Sequence, residues 1–203
     1  MAMAGATTPL RSGTFENLQL NAGIFIKNLT IGDTAAALKS AIAAAITAGT
    51  NILGATRGGG SFNVTKETRQ PEVDGRRYRF KNDTVVDSID AYLSTTLVET
   101  TPENFALGLG SATVQTTGKK TTITMHTAIQ DADYINTLCW VGDLADGSYV
   151  VIELLNARNE ADFTFTFTDK GEGTLPVEIH ASQANVGDYD TAPFNVYFIE
   201  QGA

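Results

Sequence analysis

The sequence predicts a mainly β protein, a β-sandwich or β-barrel with flanking α-helices. Three observations carry this reading. Apolar and polar residues alternate with a period of two in segment after segment. Turn signals built on Gly with Asp or Lys separate these segments. Only two stretches carry helix signals, each with a capping residue before it and a glycine after it. With 203 residues and 42% hydrophobic content, the chain can bury a sizeable core without covalent staples. Residues 1–13 are small and polar, with Pro9 and Gly13, and read as a flexible arm; residues 14–203 read as one domain.

A first strand is expected over Ala22–Leu29. Asp33 or Thr34 then caps a helix that runs to Ala48. Leu38, Ile42 and Ile46 form one narrow apolar stripe on it, the rest is mostly Ala, and Gly49 stands where a left-handed residue ends a helix. The run from Leu53 to Phe62 is too Gly-rich for a helix, and Phe62 and Val64 alternate with polar neighbours as in a strand. Residues 66–81 are charged and broken by Pro71 and Asp74-Gly75, which predicts a long loop or the tip of an extended hairpin. Val85–Glu99 is the clearest strand, with Ile89, Ala91, Leu93 and Leu97 on one face and Ser88, Asp90, Ser94 and Thr96 on the other. Thr101 and Pro102 start a short helix that ends at Gly108 or Gly110. Further strands are expected over 121–127, 135–141, 149–155, 162–168, 175–181 and 194–200, with turns at Gly118-Lys119, Asp146-Gly147, Lys170-Gly171 and Gly187-Asp188.

Charge is distributed unevenly. The net charge is −9, which disfavours binding to nucleic acid by phosphate neutralisation. Residues 121–203 carry thirteen acids and two bases, whereas residues 57–81 carry seven bases and three acids. A molecule divided in this way suits head-to-tail docking on copies of itself; the alternative is a solvated basic loop. Met1–Thr14 has no apolar core of a signal peptide, and the Ala-rich helix is too short to span a bilayer, so synthesis in the cytoplasm and no membrane partner are expected.

No catalytic constellation emerges, and no enzyme, cofactor or metal is expected. The two histidines, His126 and His180, each fall inside an expected strand. Gly-x-Ser-x-Gly is absent. Gly118-Lys119-Lys120-Thr121 lacks the earlier glycine of a phosphate loop, since position 113 is Thr113. Gly58-Gly59-Gly60 lacks the order of elements that loop needs, and reads as a close backbone contact. Asp131/Asp133 and Asp188/Asp190 read as solvated loops in preference to a calcium site. Cys139, the single cysteine, reads as a small core residue.

One resemblance adds to this reading. Leu53-Gly54-Ala55-Thr56-Arg57-Gly58-Gly59-Gly60-Ser61-Phe62-Asn63-Val64, followed by Glu72-Val73-Asp74-Gly75-Arg76, resembles the tail tube proteins of long-tailed, non-contractile phages. The runs 87–93, 97–104 and 169–177, and Ala192-Pro193-Phe194, are similar to that family's long strand, capped short helix and C-terminal strands in the same order. The resemblance spans roughly residues 22–200. It implies a tail-tube-type β-sandwich and a structural virion protein. Such subunits form rings, usually six-fold, whose strands join into one inner barrel, and the rings stack into a conduit for the genome. The implied partners are further copies of the chain, then the tape measure, tail terminator and distal tail proteins, with DNA only in transit. The implied location is the virion tail, assembled in the host cytoplasm. Two other readings stay open: a monomeric β-sandwich binding module, and the related tube of a contractile tail or secretion system.

Within that frame the basic stretch becomes an inter-ring contact made by Lys66, Arg69, Arg76, Arg77, Arg79 and Lys81. The alternation Asp162-Phe163-Thr164-Phe165-Thr166-Phe167-Thr168 is expected to turn its phenylalanines into the core. Thr164, Thr166 and Thr168 would then line the lumen beside Asp90, Ser94 and Thr96.

Overall fold

The computed structural model describes residues 13–184 and 190–201. The expected N-terminal arm up to residue 12 and the expected turn at Gly187-Asp188 lie outside the described residues. The fold is mainly β. In chain order it runs β1 (Ile24–Lys27), α1 (Ala35–Ala48), β2 (Thr56–Arg69), β3 (Val85–Leu97), α2 (Pro102–Leu109), β4 (Ala112–Thr117), β5 (Lys120–Met125), β6 (Ile135–Asp143), β7 (Tyr149–Asn159), β8 (Leu175–His180) and β9 (Phe194–Ile199).

Both helices follow their local signals. Thr34, and not Asp33, caps α1: its hydroxyl oxygen accepts the Ala37 N–H at 3.2 Å. Gly49 closes the helix at φ 67°. Thr101 caps α2 in the same way, accepting the Asn104 N–H at 3.2 Å, and Gly110 ends it at φ 68°. Asn104 is buried and donates to the carbonyls of Leu53 (3.1 Å) and Glu99 (2.9 Å), which ties the start of α2 to the preceding chain.

Seven strands form one continuous antiparallel array that divides at β7 into two sheets, and β4 and β5 form a separate hairpin. One contains β1, β6, β7 and β9; the other contains β2, β3 and β8, joined to the end of β7 through Arg158 and Asn159. The main core lies between them. Leu138 and Leu154 of the first sheet meet Leu93, Leu97, Val177 and Ile179 of the second. The opposite face of the first sheet is covered by α1, whose Leu38 packs with Cys139, Val141 and Val151. β6 is therefore buried on both sides, which explains its continuous apolar run and the complete burial of both Leu138 and Cys139. On α1, Leu38 is fully buried and Ile42 packs at the margin, but Ile46 is exposed, so the stripe covers the sheet only in part.

Two expectations need correction. Residues 162–168 do not form a strand; they make a single bridge, Thr166 to Thr174. The cause is local. Glu160 N–H still bonds the Glu178 carbonyl at 3.0 Å, as a continuation of β7 along β8 would require. The returning donor, Glu178 N–H, is taken at 2.8 Å by the side-chain oxygen of Asn159, and the ladder stops. Only Phe165 then reaches the core, while Phe163 and Phe167 are exposed. The second correction is β4, a strand beyond those expected. It pairs with β5 from Ala112↔Met125 to Thr117↔Lys120 around Gly118, which has φ 64°.

Candidate assembly surface

The β2–β3 hairpin leaves the body of the protein. β2 pairs with β3 along its whole length, yet β8 covers β3 only from Tyr92 to Leu97. Beyond Tyr92 the hairpin continues as a ribbon to Arg69 and Val85, about 20 Å at ~3.3 Å per residue. Among the described residues neither edge of that outer ribbon joins another strand, and its one backbone bond to the body is from Ala181 N–H to the Ala91 carbonyl at the root, 2.9 Å. Unpaired strand edges are templates for another chain, and a two-stranded ribbon is marginal alone. Cross-strand contacts hold it: Arg69 Nε donates to Asp87 at 2.8 Å and Ser88 to Glu67 at 3.1 Å. At its root Gly58 and Gly59 take φ 77° and 75°, and a Cβ on Gly60 would stand 2.6 Å from the Ser94 carbonyl. The glycine run is thus a bulge with a close backbone contact, as the sequence suggested.

The tip, residues 70–84, is organised around Arg76. Its guanidinium donates to the carbonyls of Pro71 (2.8 Å) and Tyr78 (3.1 Å) and pairs with Asp83. Asp83 also accepts the Phe80 N–H at 2.8 Å. Arg76 therefore has its partners inside the arm. Lys66 and Arg69 lie on β2, and Arg69 is paired with Asp87. Arg77, Arg79 and Lys81 are exposed at the tip and have no ion-pair partner among the described residues. Between them stand Tyr78 and Phe80, 77% and 66% exposed, with exposed Val73 nearby. The charge pattern alone missed this apolar content, although Tyr78 and Phe80 alternate with Arg77, Arg79 and Lys81 in the sequence.

The six residues expected to line a lumen separate into two groups. Asp90, Ser94 and Thr96 share the outward face of β3. Across the strands Thr65 stands opposite Asp90, Ser61 and Glu178 opposite Ser94, and Arg57 and Pro176 opposite Thr96; the Ser61 and Ser94 hydroxyls are 2.8 Å apart. His180 closes this row, with Nδ1 2.9 Å from Asp90 and its ring stacked on Tyr92 at 4.7 Å. Thr164, Thr166 and Thr168 are exposed but belong to the irregular segment, where only Thr166 lies opposite a β8-side residue, Thr174. No shared sheet joins the two groups.

Several other titratable groups have structural partners or buried surroundings. His126 Nε2 is 2.8 Å from Asp133, which also accepts the Gln130 N–H at 2.7 Å. Burial works to raise the Asp133 pKa, but the Gln130 N–H, the His126 hydrogen bond and charge, and the Arg158 charge together hold it below its usual value. Asp133 is thus committed to the turn before β6, and Asp188 of the other weighed calcium pair lies outside the described residues. Burial, then the Glu153 charge, pushes the Cys139 thiol up to about 12. Burial also lowers the Lys27 pKa, against the attraction of Glu103. Among the described residues no group of three His, Cys, Asp or Glu side chains could hold a metal ion, and no helix is long and apolar enough to cross a membrane. No protein-family model and no curated protein matches the chain.

Proposed function

We propose that this protein is a structural subunit that polymerises as stacked rings into a phage tail tube, the conduit for genome delivery. The observation that carries the reading is the β2–β3 arm: a ribbon with two unpaired edges, ending in an aromatic and basic tip. A monomer gains nothing from exposing such edges, whereas neighbouring subunits can pair them and remove the aggregation hazard. The tip combines apolar area, which supplies affinity, with unpaired cations, which select an acidic partner surface and fix polarity. The rest of the chain is that partner by charge, with thirteen acids and two bases in residues 121–203.

The face bearing Asp90, Ser94 and Thr96 supports the conduit part of the reading. It is built mostly of hydroxyls and acids, with Glu67, Asp90 and Glu178 in or beside the row, while Arg57, opposite Thr96, is paired with Glu172. Such a wall stays hydrated and repels phosphate, so DNA passes without being held. A specific interface buries on the order of 1,600 Å², and each subunit needs contacts both around and between rings.

Electron microscopy of the purified full chain over a concentration series tests the proposal. Rings or tubes of constant diameter are expected, with an initiator complex from the same tail allowed. A chain that stays monomeric throughout would overturn the reading in favour of a monomeric binding module.

A further inference from the structure

The end of the molecule opposite the arm tip carries its own aromatic surface. Phe163, Phe105, Phe165 and Phe167 form a continuous ladder, with ring centroids 5.5, 4.9 and 6.0 Å apart in that order. Phe165 anchors the ladder in the core, and Phe105 sits on α2. The ladder ends in solvent, where Phe167 is 78% exposed. An aromatic ring on an irregular segment, tied to the core only through its neighbours, is costly to leave in water unless something covers it.

Topology places this ladder far from the tip. β3 begins at Val85, where the tip ends, and finishes at Leu97, shortly before α2. Leu97 pairs with Leu175, next to the Thr166–Thr174 bridge of the ladder segment. Thirteen residues of strand therefore separate the two surfaces, about 40 Å at ~3.3 Å per residue. The charges that flank the aromatic rings differ in sign, although Lys170 follows Asp169, and Glu72 and Asp74 lie in the tip segment. Asp162 and Asp169 bracket the ladder and have no ion-pair partner among the described residues. Arg77 and Arg79 flank Tyr78 at the tip, equally unpaired.

We infer that the Phe163–Phe167 ladder is the receptor for the arm tip of a second copy of this chain, with Tyr78 and Phe80 laid against Phe167 and with Arg77 and Arg79 facing Asp162 and Asp169. This rests on the self-assembly reading above and names the surface that completes it. Two aromatic and oppositely charged patches at opposite ends give a heterologous contact, which propagates and does not close on itself as an isologous dimer would. Offset aromatic contacts supply the attraction. The charges exclude tip-to-tip and ladder-to-ladder docking, which would set like charges together.

The test is disulfide trapping in the full chain with Tyr78→Cys and Phe167→Cys, both exposed positions, under mild oxidation. The double variant is expected to give a ladder of covalent multimers on a denaturing gel, and each single variant should remain monomeric. A Tyr78→Cys chain that cross-links to itself would show tip-to-tip docking and overturn the assignment. Because cysteines can perturb packing, a charge swap gives a second measurement. Arg77→Glu with Arg79→Glu should reduce sedimentable assembly at least tenfold, and mixing with Asp162→Lys/Asp169→Lys chains should restore it. Wild-type tubes that form while both measurements fail would reject the ladder as receptor and leave the tube reading standing. A wild-type chain that never assembles would reject both.

Discussion

Arg76 and Asp83 form an ion pair across the tip of the β2–β3 arm, with side chains only 18% and 17% exposed. The same guanidinium holds two tip carbonyls, so one side chain organises a segment that has no strand or helix of its own. This divides the basic residues of the tip by role. Arg76→Ala should loosen the tip by about 1.5–3 kcal/mol, the range for hydrogen bonds to charged groups. Hydrogen exchange should accelerate across residues 70–84 and remain unchanged in β6 and β7. Arg77→Ala should leave exchange at the tip untouched and lower assembly alone. Equal effects of the two substitutions on exchange would contradict the division.

The core between the sheets should respond to truncation as a packed interior does. Leu138→Ala is expected to cost about 2–5 kcal/mol in denaturant unfolding, since the cavity has sheets on both sides. Ile46→Ser, on the exposed part of α1, should change stability by less than about 0.5 kcal/mol. A large loss at Ile46 in assembled material alone would identify α1 as an interface.

The Asp133 cluster predicts a specific loss of stability in acid. Its folded carboxyl lies below the ordinary Asp value, so the stabilisation is fully present above the unfolded pKa, about 3.9. It falls as pH drops through the folded value, because the unfolded chain then binds the proton more readily. Asp133→Asn should therefore be less stable than wild type near neutrality, and the gap should narrow as pH falls below about 4. A gap independent of pH would show that the charge is not what Gln130 and His126 recognise.

Cys139 should be silent to thiol reagents in the native state. It is fully buried beneath α1 and its thiol is pushed up to about 12, so neither access nor thiolate is available at pH 8. Labelling should appear only with unfolding and should follow the denaturant transition. Rapid native labelling would mean that α1 detaches from the sheet.

The two groups expected at a lumen can be tested separately. Ser94→Cys and Thr166→Cys should both react with a bulky maleimide in free subunits. In assembled tubes, reagent added outside should reach Ser94→Cys slowly and mainly from open ends. Fast, uniform labelling at position 94 would move the β3 face to the outside. The irregular segment has no sheet in common with β3, so position 166 can differ in rate.

Much of the architecture is legible in local chemistry. Thr34, Gly49, Thr101 and Gly110 define both helices, because caps satisfy backbone groups within one turn. The alternation in Val85–Leu97 describes the buried Ala91, Leu93 and Leu97 correctly, because strand side chains have a period of two. The basic tip is visible as a run of charge, and its aromatic partners are visible once that alternation is read across it. Ile89 shows where local pattern stops. It lies on the apolar face of β3 but is exposed, since the strand there has already run past β8 and beyond the cover of the facing first sheet. Residues 162–168 show the same limit more sharply. Their alternation is regular, yet the strand fails because the side chain of Asn159 captures the Glu178 N–H that the ladder needs. That competition depends on two residues nineteen positions apart being brought within 2.8 Å. Periodicity states which face a residue would take in a strand. Whether a neighbouring strand is present to pair it, or a side chain intercepts its hydrogen bond, is decided only when distant parts of the chain meet.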